Sequence, residues 1–80
     1  MKVEEAVIIR IKDLCFSNQI TPNMLAYTSA ISPSTLKNIL YGKSSNVGVI
    51  TIAKICDGLN ITLQDFFSDD IFSDLEQIIQ

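Results

Sequence analysis

A short segment of the chain carries the polar side chains best suited to bind another molecule. On a helical wheel turning by about 100° per residue, one side of this segment consists of Ser34, Lys37, Asn38 and Tyr41. An asparagine amide can bond adenine N6 and N7 together, a lysine can donate to guanine O6 and N7, and a serine can bond either partner. Pro33 has no backbone donor, so it offers only an apolar contact, such as one to a thymine methyl group. The segment therefore has the chemistry of a surface that reads base edges in the major groove of DNA.

Residues on both sides of this segment are suited to contact DNA phosphates, which fix the position of a protein on DNA without reading sequence. The start of the preceding helix exposes backbone N–H groups that favour anions. The candidate phosphate contacts are Thr21, Asn23, Thr28, Tyr41, Lys43, Ser44, Ser45 and Asn46. The alternative explanation for each of these residues, and for each base-contact candidate, is a solvated polar surface with no ligand.

Two short helices separated by a tight turn must position this surface. Thr21-Pro22 and Ser32-Pro33 are both helix starts, because Thr and Ser are good N-caps and proline suits the first helical position. About three residues separate the two helices, which predicts a helix-turn-helix over about residues 21–41. Gly42 can take the left-handed conformation that ends the second of them.

Further helices are expected on both sides of the helix-turn-helix. Apolar periodicity predicts an opening helix over about residues 3–18 and a later helix over about residues 50–59, which Asn60 can end in a left-handed conformation. Thr62 and Asp65 have the spacing of a capping box and open another helix. A last short helix is expected over residues 71–79, and no strand pattern appears. The sequence therefore predicts an all-α fold.

The length of 80 residues allows a single domain, 1–80, with a carboxyl-terminal extension over about residues 69–80. Apolar residues make up 48% of the chain and charged residues 19%, which is typical of a globular protein. There is no histidine, so neither a Cys/His zinc site nor a histidine-based catalytic relay can be built. We therefore expect no enzyme activity, no catalytic residue, no metal and no cofactor.

No apolar run is long enough to span a membrane, and the amino-terminal residues do not have the pattern of a signal peptide. Cys15 and Cys56 are too few for a secreted disulfide scaffold. We expect a cytoplasmic protein without a membrane partner, in which both cysteines act as small buried hydrophobic residues.

Charge is unevenly distributed along the chain. The net charge is −3, yet residues 14–56 contain three lysines and no acidic residue, and residues 57–80 contain six acidic residues and no basic one. This asymmetry fits an anionic ligand bound to the middle of the chain, with an acidic carboxyl-terminal face turned away from it. With only three lysines, chance segregation is the alternative.

Over about residues 7–67 the sequence resembles the phage-repressor-like helix-turn-helix family, also called XRE-type or lambda-repressor-like. The resemblance is carried by the segments ITPNMLAYTSAISPSTLKNILYGK and TIAKICDGLNITLQDFF, together with Ile11 and Leu14. It implies a compact five-helix domain that binds operator DNA, usually as a dimer. It also implies phosphate contacts at the start of the second helix and in the loop 43–46. The base-contacting positions implied by the resemblance are Pro33, Ser34, Lys37 and Asn38.

The chain departs from the family pattern at several positions. Pro22 replaces a glutamine that often grips phosphate, Ala30 replaces the usual turn glycine, and Val47 replaces a loop proline. Cys15 and Leu40 stand where the family often has an arginine–glutamate pair, so both ends of that pair have become apolar together. Weak non-specific DNA binding is expected from the low positive charge.

The carboxyl-terminal residues are unusually apolar for a tail. Ile71, Leu75 and Ile78 lie at i, i+4 and i+7, so a helix there would present an apolar stripe to a second copy of the chain. The alternative is that Phe66 and Phe67 close the core of the domain and that the rest packs loosely over it. The predicted dimer interface consists of Ile71, Phe72, Leu75, Ile78 and Ile79.

Taken together, these patterns predict a transcriptional regulator, most simply a repressor, that binds double-stranded operator DNA as a homodimer. The alternative function is a protein-interaction module on the same fold with weak DNA affinity, for example an antitoxin-like protein whose acidic tail contacts a basic partner. The two functions differ in the salt dependence of binding.

Overall fold

The structure is a computed structural model that describes residues 1–44 and 46–79. In these residues it has five α-helices and no strand, which confirms the predicted all-α class. No helix in the same residues is long and apolar enough to cross a membrane. The helices are α1 (Val3–Ser17), α2 (Pro22–Thr28), α3 (Pro33–Leu40), α4 (Val49–Leu59) and α5 (Leu63–Phe67).

The predicted helix starts are confirmed at three positions. The Thr21 hydroxyl accepts a hydrogen bond from the Met24 backbone N–H at 3.2 Å, and the Ser32 hydroxyl accepts one from the Thr35 N–H at 3.1 Å. At α5, the Asp65 N–H donates to the Thr62 hydroxyl at 3.0 Å, and the Asp65 carboxylate accepts from the Thr62 N–H. Each bond satisfies a backbone donor that has no partner inside its helix.

Helices α1 to α4 end in the same way. A left-handed residue follows each of them, and the N–H of the next residue donates to the carbonyl five positions back, at 2.9–3.0 Å. The next residue is an isoleucine after α1, α2 and α4, and each of these isoleucines packs against the core. The left-handed residues are Gln19, Ala30, Gly42 and Asn60.

Ala30 is expected to store backbone strain, because its φ of 55° costs an L-residue about 1–2 kcal/mol. Replacing Ala30 by glycine should raise the free energy of unfolding by about 0.5–1 kcal/mol, since glycine's greater freedom in the unfolded chain offsets part of the relief. Urea unfolding measures the change. The control is Ala53→Gly inside α4, which should lower the free energy of unfolding by about 1 kcal/mol. A less stable Ala30→Gly protein would contradict the assignment of strain.

All five helices contribute to one core. Ile11, Leu25, Ile55 and Phe66 have no exposed surface, and Leu36 has almost none. Because the helices are short, each buries only one side, and the core lies where those sides meet. The other core residues are Val7, Leu14, Cys15, Ala26, Ile39, Leu40, Ile52 and Cys56.

The two cysteines are free thiols inside this core, as predicted. Burial raises the pKa of the Cys15 thiol, and both burial and the nearby charge of Asp57 raise the pKa of Cys56. Both thiols therefore remain protonated and weakly nucleophilic near neutral pH. Leu40 belongs to the same buried cluster as Cys15, which agrees with the apolar substitution inferred at those two positions.

The predicted helix over residues 71–79 is wrong. Only Asp70–Phe72 form a single 3₁₀ turn, and residues 73–79 contain no helix. Serine and aspartate are frequent in this segment, and their side chains compete for backbone groups and favour caps and turns. Asp69 acts in this way, because its carboxylate accepts the Ile71 N–H at 2.9 Å. Further on, the Glu76 N–H donates to the Met1 carbonyl at 3.0 Å, so the tail lies against the start of the chain.

Aromatic packing draws the tail onto the domain. The ring centroids of Phe72 and Phe67 are 5.0 Å apart, and those of Phe72 and Phe66 are 6.0 Å apart. Phe66 closes the core, whereas Phe67 remains 41% exposed. Phe72 is half-buried against the core of its own domain.

Arg10 of α1 caps the carboxyl end of α5. Its Nε donates to the Phe66 carbonyl at 2.8 Å and its Nη2 donates to the Asp65 carbonyl at 2.9 Å. Its Nη1 pairs with the Asp69 carboxylate at 3.2 Å, and the guanidinium lies over the Phe66 ring. A cation that donates to the last carbonyls of a helix stabilises that end.

Replacing Arg10 by methionine should lower the free energy of unfolding by about 1.5–3 kcal/mol, because two charge-assisted hydrogen bonds are lost while the apolar stem is kept. Asp69→Asn is the control, since it removes only a partly exposed ion pair and should cost less than about 1 kcal/mol. Thermal unfolding of both variants measures the difference. Equal losses would contradict the view that the α5 carbonyls are the main partners of Arg10.

Candidate nucleic-acid interface

Helices α2 and α3 form the predicted helix-turn-helix. Leu25 and Ala26 on α2 are completely buried, and the Ile31 N–H in the turn donates to the Ala26 carbonyl at 3.0 Å. Ile31 itself packs against the core. The small side chain of Ala26 lets the two helices approach, and Ile31 anchors the turn between them.

Helix α3 has the two faces that the helical wheel predicts. Leu36, Ile39 and Leu40 are buried with at most 9% exposure, so they fix the helix to the core. The opposite side faces solvent, which leaves its polar groups free to reach a ligand. That exposed side carries Pro33, Ser34, Lys37, Asn38 and Tyr41.

Lys37 and Tyr41 interact along this exposed side. The Lys37 ammonium lies over the Tyr41 ring, 5.9 Å from its centroid, and Tyr41 is 68% exposed. A cation in this position is attracted to the ring face, an effect worth about 0.5–1 kcal/mol at an exposed site. Tyr41 therefore limits the directions that the Lys37 side chain takes. Sequence reasoning placed the two residues on one face and missed this contact.

A groove brings many of the predicted contact residues together. It has a volume of about 550 Å³ and lies between α1, α2 and α3. Its apolar floor is formed by Leu36 and Leu40. Lys12 of α1 also lines it, a residue that sequence reasoning did not select. The predicted contact residues in the groove are Asn23, Pro33, Ser34, Lys37 and Tyr41.

The predicted phosphate contacts that follow α3 do not all lie next to its exposed polar side. The Lys43 N–H donates to the Asn38 carbonyl at 2.9 Å, so Lys43 lies next to the exposed polar side of α3, which we call the reading surface. Ser44, the next residue, is half-buried. Asn46 lines a different cavity, together with the start of α1 and Phe67. Ser45 lies outside the described residues.

The two threonines predicted as phosphate contacts are already engaged by their own helix. The Thr28 hydroxyl donates to the Leu25 carbonyl at 3.2 Å, so its hydrogen is used inside α2. The Thr21 hydroxyl accepts from the Met24 N–H, which leaves its hydrogen available to a phosphate oxygen. Of the two, Thr21 keeps the better donor.

A close contact between α2 and α4 holds the helix-turn-helix in place. A side chain on Gly58 would overlap the Ser29 hydroxyl and would lie 3.1 Å from the Ser29 backbone Cα and N atoms. Ser29 is 3% exposed, and its hydroxyl has no hydrogen-bond partner among the described residues. Sequence reasoning missed this contact, although a glycine inside an apolar helix is a signal of close packing.

The predicted dimer residues do not form one helical stripe. Because residues 73–79 contain no helix, the spacing of i, i+4 and i+7 no longer places side chains on one side. Phe72 packs against the core of its own domain. Ile78 and Ile79 are exposed, by 81% and 85%. Ile71 and Leu75 are half-buried.

Comparison with known proteins agrees with this geometry. A family model described as a Cro/C1-type HTH DNA-binding domain matches residues 10–70, which include all five helices apart from the first turns of α1. No curated protein and no solved structure matches the chain. The match covers well over half of the sequence and includes the whole helix-turn-helix. The chain therefore belongs to the Cro/C1-type helix-turn-helix family of DNA-binding domains.

Proposed function

We propose that this protein is a transcriptional repressor that binds a specific DNA operator as a homodimer, acting in the cytoplasm. The observation that supports this most is the exposed polar side of α3, which is held rigidly by the buried Leu36, Ile39 and Leu40. A rigid helix that presents amide, ammonium and hydroxyl groups together is suited to enter the major groove.

Each residue on this side has a distinct role in the proposal. Asn38 bonds the N6 and N7 atoms of an adenine, and Lys37 donates to guanine O6 and N7. Ser34 bonds a base edge near the start of α3, and Pro33 contacts a thymine methyl group. The cation–π contact with Tyr41 supports this role for Lys37, because a side chain restricted before binding loses less entropy on binding.

Contacts with phosphates hold the helix at the groove. Lys43 is adjacent to Asn38 and carries the charge for one side of the reading surface. Asn23 lies in the groove beside α3 and serves the other side. Ser44, Ser45 and Asn46 are proposed as further contacts, with Thr21, Thr28 and Tyr41. The affinity of these contacts should fall as salt rises.

A two-fold dimer would place two copies of α3 about 34 Å apart, one turn of DNA, on a palindromic site. The exposed Ile78 and Ile79 support a role for the tail in this dimer. Ile71, Phe72 and Leu75 are proposed as further residues of the same interface.

The test is a selection of bound duplexes from a random pool, followed by titration. The enriched duplex, a scrambled duplex and the DNA upstream of the protein's own gene are labelled and titrated at about 50 mM and about 200 mM salt. We expect one palindromic sequence to be enriched and to bind preferentially at both salt concentrations. Transcription from a promoter that overlaps this sequence should fall when the protein is present.

Two results would overturn the proposal. If no sequence is enriched and weak binding disappears at the higher salt, the fold serves as a protein-interaction module, as an antitoxin-like protein would. If a sequence is enriched but transcription rises, the protein is an activator. The oligomeric state of the complex, measured by light scattering, tests the homodimer separately.

A further inference from the structure

We infer that Lys12 of α1 binds a phosphodiester of the same DNA duplex, so that the interface extends from the helix-turn-helix onto the first helix. This inference rests on the proposed DNA binding. It adds a DNA contact from α1, the helix that precedes the helix-turn-helix. The sequence pattern predicted no DNA contact on α1.

The position of Lys12 carries the argument. Lys12 and Lys37 line the same groove, one from α1 and the other from α3. The floor between them is apolar, formed by the buried Leu36 and Leu40. Two cations on the walls of one concave surface raise the local positive potential more than isolated lysines do. A strand of DNA backbone is the anion that would lie beside α3 when α3 enters the major groove.

Lys12 is also available to bind. The two ion pairs found among residues 1–44 and 46–79 use the amino terminus and Arg10, and neither uses Lys12. The side chain of Lys12 is exposed, so it can extend towards a phosphate without losing a protein partner. Arg10, two residues earlier, is held by α5 instead.

The chemistry of the groove favours a backbone phosphate over a base at this wall. A lysine ammonium is a flexible point charge and suits a single phosphate oxygen. Asn23 lines the same groove as Lys12 and offers an amide donor to an anion bound there. Lys12 lies on α1 and not on the base-reading helix α3, so a phosphate contact at Lys12 would fix the position of α1 on the DNA and with it the angle of α3 in the major groove.

The experiment compares Lys12→Gln with wild-type protein on the enriched duplex and on the scrambled duplex over a range of salt concentrations. We expect Lys12→Gln to bind both duplexes roughly fivefold to tenfold more weakly near 0.1 M salt, and to lower the slope of log K against log salt by about 0.9. Its preference for the enriched sequence should not change. The matched control is Lys54→Gln, an exposed lysine on α4 outside the groove, which should keep wild-type affinity and slope.

Phosphate ethylation interference identifies the partner atom. At one phosphate, ethylation should weaken the binding of wild-type protein but should leave the binding of Lys12→Gln unchanged. If wild-type protein binds the enriched duplex and Lys12→Gln keeps its affinity and slope, the inference is wrong and the proposed function stands. If Lys12→Gln loses sequence preference instead, Lys12 reads a base, which also overturns the inference. If wild-type protein binds no duplex, the proposed function and the inference fail together.

Discussion

Replacing Gly58 by alanine is expected to lower the free energy of unfolding by about 2 kcal/mol, and the Tm by roughly 10 °C. This is opposite to the usual effect, because alanine in place of a helical glycine gains up to about 1 kcal/mol. At Gly58 the added Cβ would overlap the Ser29 hydroxyl and would press on the Ser29 backbone atoms 3.1 Å away. The hydroxyl can rotate, but the backbone of Ser29 can move only if α2 shifts away from α4.

Two companion variants make this result specific. Gly48→Ala adds the same methyl group at the N-cap of α4, where nothing lies within 4 Å, so it should cost less than about 1 kcal/mol. Ser29→Ala removes a buried hydroxyl that has no partner among the described residues, so by itself it should cost little. Combined with Gly58→Ala, it should recover about 1 kcal/mol, which a double-mutant cycle measures. A Gly58→Ala protein as stable as wild type would show that the two helices are not in close contact.

Replacing Asn38 by alanine is expected to weaken binding to the enriched operator by about 1–3 kcal/mol, or roughly 5–150-fold. The reason is the loss of two hydrogen bonds to one adenine. Binding to scrambled DNA and the salt slope should not change, because a base contact releases no phosphate counterion. Stability should also remain, since Asn38 is exposed. Competition titrations with single-base variants of the operator measure the change.

Lys43→Gln and Gln64→Ala are the comparisons for this prediction. Lys43→Gln should weaken binding to every duplex about equally and should lower the salt slope, as the loss of a phosphate contact does. Gln64→Ala removes an exposed amide on α5, far along the chain from the reading surface, and should leave DNA binding unchanged. If Asn38→Ala weakens binding to all duplexes alike, the side chain contacts the backbone and not a base.

The helix boundaries were predictable because the interactions that determine them are local. The caps at Thr21, Ser32 and Thr62 use backbone groups three residues away, so the residue types and their spacing are sufficient. The two faces of α3 follow from its 3.6-residue period in the same way. The all-α class, the helix-turn-helix and the exposed polar surface could therefore be read from the sequence.

The carboxyl-terminal residues show why local patterns can mislead. Ile71, Leu75 and Ile78 have helical spacing, yet only Asp70–Phe72 form a turn. The serines and aspartates between them weaken a helix. The contacts of Phe72 with Phe66 and Phe67 stabilise a different backbone conformation of the tail. Phe72 also packs against the core cluster, whose residues come from all five helices, so no short stretch of sequence specifies this packing.

By itself, the sequence determined the five helices, the N-caps of α2, α3 and α5, and the polar side of α3, because each of these depends on residues within one or two turns. Only the tertiary structure decided that Arg10 caps α5, that Gly58 packs closely against the backbone of Ser29, and that Lys12 lines the same groove as Lys37. The residues in each of these pairs lie about 25 or more positions apart in the sequence. Such pairs meet only when the buried sides of several helices pack into one core, and that packing is a property of the whole chain.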